Sequence, residues 1–172
     1  MIETVRPGAT AQQAKVVIFD FDGTLSLVRS GWMDVMVPLC VEQLAATGST
    51  ESKAELRAVV EEFVWRLTGK ETIYQMMALA DAVRERGGQA LEPAVYKKMY
   101  LDALWERIKT RVEELRSGKV SPEKYLVPGA LDLLNALKER GVKMYLASGT
   151  DEIYMKEEAR LLGLNSYFEG GV

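Results

Sequence analysis

The fold of this chain is indicated by one stretch near its N-terminus, VVIFDFDGTL, which occupies residues 16–25. Its first four residues, Val16–Phe19, are apolar and mostly β-branched, which predicts a parallel strand buried on both faces. The acidic residues Asp20 and Asp22 follow at once, and Gly23 then permits a turn. Because open α/β sheets bind ligands beyond the carboxyl ends of their strands, the two acids are predicted to stand at a ligand site.

A second strand is predicted at Lys143–Ala147, directly before a Ser-Gly-Thr stretch at residues 148–150. The segment 130–140 before this strand has helical periodicity and basic residues in its last turn. Another helix is predicted over Asp151–Leu162, with Thr150 or Asp151 at its N-cap. Helix followed by strand is the repeating unit of an α/β layer fold. Residues 164–172 are expected to lead through a loop into a further short strand.

The long middle of the chain has only helical patterns. Two capping boxes, Ser52-x-x-Glu55 and Thr72-x-x-Gln75, mark predicted helix starts. The sequence therefore predicts a helical domain at residues 27–125, inserted into an α/β core made of residues 1–26 and 126–172. The four predicted helices are Trp32–Ala46, Ser52–Leu67, Thr72–Arg86 and Pro93–Arg116.

Composition excludes several classes of chemistry. Apolar residues make up 48% of the 172 residues and charged residues 27%, which is typical of a globular protein. A net charge of -3 provides no basic field for nucleic acid. The chain has no histidine, which excludes imidazole metal sites and histidine bases, and Cys40 alone cannot form an internal disulfide. No signal peptide or membrane-spanning apolar run is visible, so a cytoplasmic location without membrane contact is expected.

Asp20 and Asp22 form the first candidate for chemistry. Two carboxylates so close together repel each other unless a cation or a proton intervenes. Hard oxygen ligands suit Mg²⁺, which keeps several of its waters and binds substrate phosphate. One carboxylate could then attack phosphorus while the other transfers protons. On the Asp-Gly dipeptide alone, a simple turn would be the favoured interpretation.

The second candidate is Ser148-Gly149-Thr150, which closes one predicted strand and opens a helix. A hydroxyl group and main-chain N–H groups at a helix N-terminus form a site for anions, and the helix dipole favours them. Taken alone, the stretch is better explained by helix capping, in which Ser and Thr are common.

Together the two stretches resemble the signature motifs of the haloacid dehalogenase-like superfamily, in its phosphoglycolate phosphatase-like and β-phosphoglucomutase-like branch with an inserted helical cap. The resemblance implies a Rossmann-like parallel sheet with Asp20 as nucleophile and Asp22 as general acid and base. It implies that Ser148 and the amides of Gly149 and Thr150 bind the phosphoryl group. Mg²⁺ would be held by Asp20 and by the main chain at Asp22.

A loop of the predicted helical domain, Thr68–Glu71, is the candidate that would close over this site and contact the leaving group. Within it, Lys70 could bind a phosphate or a polar leaving group, although a plain turn with a solvated lysine is the more common alternative. Lys97 and Lys98 are interpreted as part of a solvated helix face.

Members of the superfamily carry two later signatures, a lysine and an acidic pair, that we cannot place in this sequence. We therefore expect a C-terminally truncated form of such a protein. The predicted function is hydrolysis of a phosphate monoester of a small metabolite through an aspartyl-phosphate. The alternatives are a sugar phosphomutase of the same superfamily, or a non-catalytic binding or regulatory module.

Overall fold

A two-stranded parallel sheet forms the base of the molecule. The structure, a computed structural model, describes residues 7, 8, 10 and 13–169. Strand β1 is Val16–Phe19 and strand β2 is Lys143–Leu146, and the two pair in parallel with Val16 opposite Lys143 and Phe19 opposite Leu146. The predicted α/β class and parallel sheet are confirmed, and both strands begin where the sequence placed them.

The first four helices after β1 pack together, and we call them the helical insert. Their apolar side chains form a common core, and α4 contributes to it a stripe that repeats every four residues. The insert consists of α1 (Met33–Ala45), α2 (Lys53–Leu67), α3 (Thr72–Glu85) and α4 (Pro93–Arg116), and it is followed by a 3-10 helix (Pro122–Tyr125), α5 (Ala130–Glu139), α6 (Glu152–Leu161) and a second 3-10 helix (Asn165–Tyr167).

Only one of the two predicted capping boxes forms. Ser52 and Glu55 exchange the expected hydrogen bonds at the start of α2. The box predicted from Thr72 and Gln75 is wrong, because α3 begins at Thr72 without a side-chain cap. Gln75 is instead buried, and its amide donates to the main-chain oxygen of Val64 over 3.4 Å. Burial of a polar side chain requires such a partner, and here that requirement outweighs the local capping geometry.

The insert leaves and rejoins the sheet-containing part through two segments that pair with each other. The main-chain N–H of Leu27 donates to Tyr125 over 2.8 Å, and that of Val127 donates to Leu25 over 2.9 Å. Ser26 and Leu126 thereby form an antiparallel bridge. The division into a core of residues 1–26 and 126–172 and a cap of residues 27–125 stays a prediction.

The prediction that β1 is buried on both faces is wrong for the part of the chain that the structure describes. Val16 is 52% and Ile18 67% exposed, because no described helix covers the face of the sheet that carries them. On the core side, Phe19 is buried and makes an edge-on contact with the ring of Phe168.

The C-terminal prediction is corrected in part. Asn165–Tyr167 forms a 3-10 helix rather than a loop into a strand, and the N–H of Glu169 then bonds to Met144 of β2. The rest of that predicted strand, residues 170–172, lies outside the described residues. Among the helices that are described, none is long and apolar enough to cross a membrane.

Candidate active site

A cavity of about 110 Å³ lies where the carboxyl ends of the strands meet the helical insert. Asp20 and Asp22 line it from the end of β1, and Gly149, Thr150 and Asp151 line it from the segment after β2. Parallel strands end at the same edge of a sheet, which explains why two stretches far apart in sequence meet there. The insert supplies the opposite wall, including its loop of residues 68–70.

Asp22 is held by a hydrogen bond across the site. The hydroxyl of Thr150 donates to Oδ2 of Asp22 over 2.6 Å. Oδ1 of the same carboxyl is buried and has no partner among the described residues. Burial raises the pKa of Asp22 above its ordinary value, although the Thr150 hydrogen bond and the charge of Arg29 act in the opposite direction. A carboxyl that keeps its proton more readily is suited to act as a general acid.

Asp20 has different surroundings from Asp22. It directly follows the last residue of β1 and is exposed. Among the described residues, only the hydroxyl of Thr24 donates to its side chain, over 3.5 Å, which is at the limit of a hydrogen bond. Its carboxylate is therefore accessible from the cavity, whereas that of Asp22 is fixed.

The Ser-Gly-Thr segment folds back on itself before α6. The hydroxyl of Ser148 accepts a hydrogen bond from the N–H of Thr150 over 3.0 Å. Gly149 and Thr150 line the cavity, but Ser148 is not among its lining residues. The structure thus brings Thr150 to Asp22 directly, while the Ser148 hydroxyl accepts a hydrogen bond within its own turn and keeps its O–H for another acceptor.

Gly149 lies close to the main chain of the insert. A Cβ atom at position 149 would lie 2.4 Å from the main-chain oxygen of Lys70, so no larger residue fits without a shift of the backbone. The predicted loop Thr68–Glu71 therefore packs directly on the candidate phosphate-binding segment. Lys70 lines the cavity, and its Nζ lies 5.8 Å from the centre of the Tyr74 ring.

A second contact joins the insert to this segment. Asp151 stands at the N-cap position of α6 but makes no side-chain cap; its carboxylate accepts a hydrogen bond from Nζ of Lys97 over 2.5 Å. The Lys97 side chain is 19% exposed, so its interpretation as solvated is wrong. Packing of α4 against α6 places the two charges together, and nothing local in the sequence indicates that packing.

The sequence analysis missed Arg29, which lines the cavity in the segment between β1 and α1. Arg29 is only 7% exposed, and its Nε and Nη2 atoms donate to Oε1 of Glu158 over 2.9 and 2.7 Å. Its guanidinium group also lies 5.5 Å from the ring centre of Tyr154. A signal was present, because a basic residue within the mostly apolar run Leu25–Trp32 is expected to be buried only with a partner.

The acidic side chains of the cavity offer few ligands for a divalent cation. No group of three His, Cys, Asp or Glu side chains that could hold a metal occurs among the residues that the structure describes. Mg²⁺ needs fewer protein ligands than that, since it retains several waters and binds through one or two carboxylates. The exposed carboxylate of Asp20 fits such an ion, whereas the buried Oδ1 of Asp22, which has no partner among the described residues, suits proton transfer.

Comparison with known proteins finds one matching family and several similar structures. A family model described as haloacid dehalogenase-like hydrolase matches residues 14–172. A predicted phosphoglycolate phosphatase from Haemophilus somnus 129pt has a similar structure, with 18% identity, a TM-score of 0.52 and coverage of 93% of this chain. CbbY from Rhodobacter sphaeroides, in complex with xylulose-(1,5)bisphosphate, gives 19% identity, a TM-score of 0.49 and coverage of 90%. L-2-haloacid dehalogenase from Xanthobacter autotrophicus has 17% identity, a TM-score of 0.40 and coverage of 91% of this chain.

The chain spans 62%, 61% and 55% of the length of these three structures, in the same order. The similarity to the structure from Haemophilus somnus supports the fold, a parallel-sheet core with a helical cap. A sequence comparison with curated proteins finds no match.

Proposed function

The chain belongs to the haloacid dehalogenase-like hydrolase family, and from this membership we propose that it serves as a Mg²⁺-dependent phosphatase for a small phosphorylated metabolite. The proposal rests above all on the hydrogen bond of 2.6 Å between Thr150 and Asp22, which joins the candidate acid to the candidate phosphate-binding segment. Asp20 lines the same cavity. The cavity of about 110 Å³ favours a small substrate.

In the first step of the proposed reaction, a carboxylate oxygen of Asp20 attacks phosphorus. A bond forms between that oxygen and phosphorus, and the bond from phosphorus to the ester oxygen breaks. The departing oxygen takes the proton from Asp22, whose raised pKa keeps that proton available. The products of this step are a free alcohol and an aspartyl-phosphate on Asp20.

In the second step Asp22, now ionised, takes a proton from a water molecule. The water oxygen bonds to phosphorus, and the bond to the Asp20 oxygen breaks, which restores both carboxyl groups and releases inorganic phosphate. The main-chain N–H groups of Gly149 and Thr150 precede α6, where the helix dipole would stabilise the negative charge of the phosphoryl oxygens. The Thr150 N–H would exchange its hydrogen bond to the Ser148 hydroxyl for one to the phosphoryl group. Ser148 is proposed as a further donor to the phosphoryl group.

Asp20 and the main chain at Asp22 would hold the Mg²⁺ ion. When bound, the ion offsets the repulsion between the two carboxylates and the phosphate dianion. The exposed loop containing Lys70 would cover the leaving group during the reaction, and its contact with Gly149 is consistent with a closed arrangement.

Phosphate release from an aryl phosphate, measured with Mg²⁺ and with a chelator, tests the proposal. We expect Mg²⁺-dependent release and a loss of at least about 10³-fold in Asp20→Asn, because the nucleophile is removed. Asp132→Asn is the matched control, since Asp132 is an exposed acid on α5. Equal turnover by the Asp20→Asn chain contradicts the mechanism. Mg²⁺-dependent phosphate binding without any release would instead indicate a binding module.

A further inference from the structure

A second cavity, of about 340 Å³, lies between α4 and α6, and we call it the α4–α6 cavity. It adjoins the candidate active site, because Arg29 and Leu101 line both cavities, but neither Asp20 nor Asp22 belongs to its wall. Pockets that hold small molecules in proteins occupy roughly 300–1,000 Å³ and combine a mostly apolar wall with a few polar groups. The α4–α6 cavity is therefore large enough for a ligand of its own.

Most of the wall of this cavity is apolar and comes from one face of α4. The side chains that α4 contributes recur every three or four residues, which places them on the same side of the helix. Trp105 is 40% exposed, and so is Tyr154 of α6, which leaves apolar surface open to a ligand from solvent. Such a wall favours a ligand with an aromatic or branched aliphatic body. The apolar lining consists of Leu101, Leu104, Trp105, Ile108, Val112 and Tyr154.

The charged groups of the α4–α6 cavity are mostly carboxylates. Asp102, Glu157 and Glu158 line it, and Arg29 is the one cation among its lining residues. Asp102 and Glu157 also form ion pairs with basic residues of α4, but those partners do not line the cavity, and the pairs are exposed to solvent, which screens them. The excess of carboxylates in the wall favours a cationic ligand over an anionic one.

The buried carboxyl group of Glu158 has one oxygen without a partner. Glu158 is 4% exposed, and its Oε1 accepts both hydrogen bonds from Arg29, while its Oε2 accepts none from the described residues. A buried acceptor without a partner destabilises a fold, so such atoms are rare unless a ligand or a water satisfies them. Burial also raises the pKa of this carboxyl despite the charge of Arg29, which indicates that one cation does not offset the whole cost of burying it.

We propose that the α4–α6 cavity binds a small organic ammonium ion with an aromatic or branched aliphatic body. The ammonium group donates to Oε2 of Glu158, and the apolar body packs against Trp105 and its neighbours on α4. Because two hydrogen bonds from Arg29 already hold the carboxylate in place, little entropy is lost in ordering it when the ligand binds. The inference goes beyond the proposed phosphatase function and does not depend on it, since it uses none of the residues of that reaction.

Three probes of similar shape test the charge of the ligand. 2-Phenylethylamine, 2-phenylethanol and 3-phenylpropionate share a phenyl group on a short chain, which ends in an ammonium, a hydroxyl or a carboxylate group. Heteronuclear NMR titrations of the metal-free chain at neutral pH give the dissociation constants, and the indole N–H signal of Trp105 reports the place of binding. We expect the amine to shift this signal and to bind about tenfold more tightly than the alcohol, as one charge-assisted hydrogen bond provides. The carboxylate should bind most weakly.

Two substitutions, each with a matched control, locate the site. Glu158→Gln keeps an oxygen for Arg29 and removes the second acceptor, so the amine should lose its advantage over the alcohol. Glu62→Gln, at an exposed and paired glutamate of α2, should leave that advantage unchanged. Trp105→Ala should weaken the amine and the alcohol alike, by about two- to tenfold, whereas Trp65→Ala, at another exposed tryptophan of the insert, should not. Since Trp105 is partly exposed, its variant keeps the test decisive even if Glu158→Gln does not fold.

Several results would overturn the inference. Equal binding of the three probes, binding of none of them, or an unchanged preference for the amine in Glu158→Gln refutes the role of Glu158. Loss of amine binding in Asp20→Asn would place the amine in the candidate active site instead, whereas retained binding supports the α4–α6 cavity. Sedimentation measures whether a second copy of the chain fills the cavity: a dimer that Trp105→Ala dissociates would assign the apolar wall to an interface between copies.

Discussion

Thr150 and Asp22 are 128 positions apart in the sequence, yet the Thr150 hydroxyl donates to Oδ2 of Asp22 over 2.6 Å. This bond couples the two strands of the sheet at their carboxyl ends. Burial raises the pKa of Asp22, and this hydrogen bond lowers it, because the bond stabilises the ionised carboxylate.

The Thr150→Val variant should therefore raise the pKa of Asp22 further. Loss of the hydroxyl removes a contribution that lowers this pKa, while the contribution from burial stays. Carbon-detected NMR titration of the Asp22 carboxyl in the metal-free chain measures the shift. Thr150→Ser retains the donor and serves as the control. A lower or unchanged pKa in the valine variant would show that the hydrogen bond does not form in solution.

Gly149→Ala should disturb both the fold and phosphate binding. The added methyl group meets the main-chain oxygen of Lys70, which cannot rotate away as a side chain would. We expect a loss of about 1–3 kcal/mol in the free energy of unfolding and weaker binding of inorganic phosphate. Gly118→Ala is the control for backbone strain, because Gly118 has a φ of 66° and open space around it. If only Gly118→Ala lowers stability, the close approach of the insert to Gly149 is not present in solution.

Lys70→Met should weaken recognition of the leaving group rather than slow the chemical step. The side chain lines the cavity from the insert, and its charge is lost while its length is kept. We expect KM for an anionic phosphate ester to rise by about three- to tenfold, with a smaller change for a neutral aryl phosphate. Lys53→Met, at the exposed start of α2, is the control. Equal effects on both substrates would show that Lys70 is a solvated turn residue that does not contact the leaving group.

Glu51→Gln should destabilise the insert at neutral pH and have no effect in strong acid. Hydrogen bonds from Arg86 lower the pKa of Glu51 below its ordinary value of 4.5, and Ser49 adds to this shift. A folded-state pKa that is lowered stabilises the fold above pH 4.5, and this stabilisation is lost as the pH falls through the folded-state value. Urea unfolding at pH 7 and pH 3 measures the difference.

The exposed pair of Arg57 and Glu61 provides the control for this prediction, because it is solvated on both sides. Glu61→Gln should change the urea midpoint only slightly at either pH. A Glu51→Gln chain that is destabilised equally at pH 7 and pH 3 would show that the effect does not come from the charge of Glu51.

The sequence was sufficient to predict the elements whose signals are local. α4 has the predicted bounds, Pro93–Arg116, because a proline at its start and a regular apolar stripe define it. The strands and the family were predicted from residues 16–25 and 143–150, and the family model confirms that resemblance. The roles of Asp20, Asp22 and Ser148 stay predictions.

Contacts between distant helices could not be predicted from one sequence. The pairs Arg29–Glu158 and Lys97–Asp151 join residues that are 129 and 54 positions apart, and each depends on how α6 packs against earlier parts of the chain. The failed prediction at Gln75 has the same cause. Its capping motif is a local pattern, but its burial depends on how helices distant in the sequence pack together. A close approach such as that of Lys70 to Gly149 likewise depends on the position of a whole loop.

The paired segments at Leu25–Leu27 and Tyr125–Val127 have an evolutionary consequence. Because the insert starts and ends at hydrogen-bonded neighbours, its removal or replacement leaves the ladder between β1 and β2 intact. A longer insert between ends that already meet adds little to the entropic cost of closing the chain. Each doubling of its length raises that cost by only about 0.6 kcal/mol. Selection can therefore exchange one insert for another at this junction and change which molecules reach Asp20, while the residues that would carry out the reaction keep their positions.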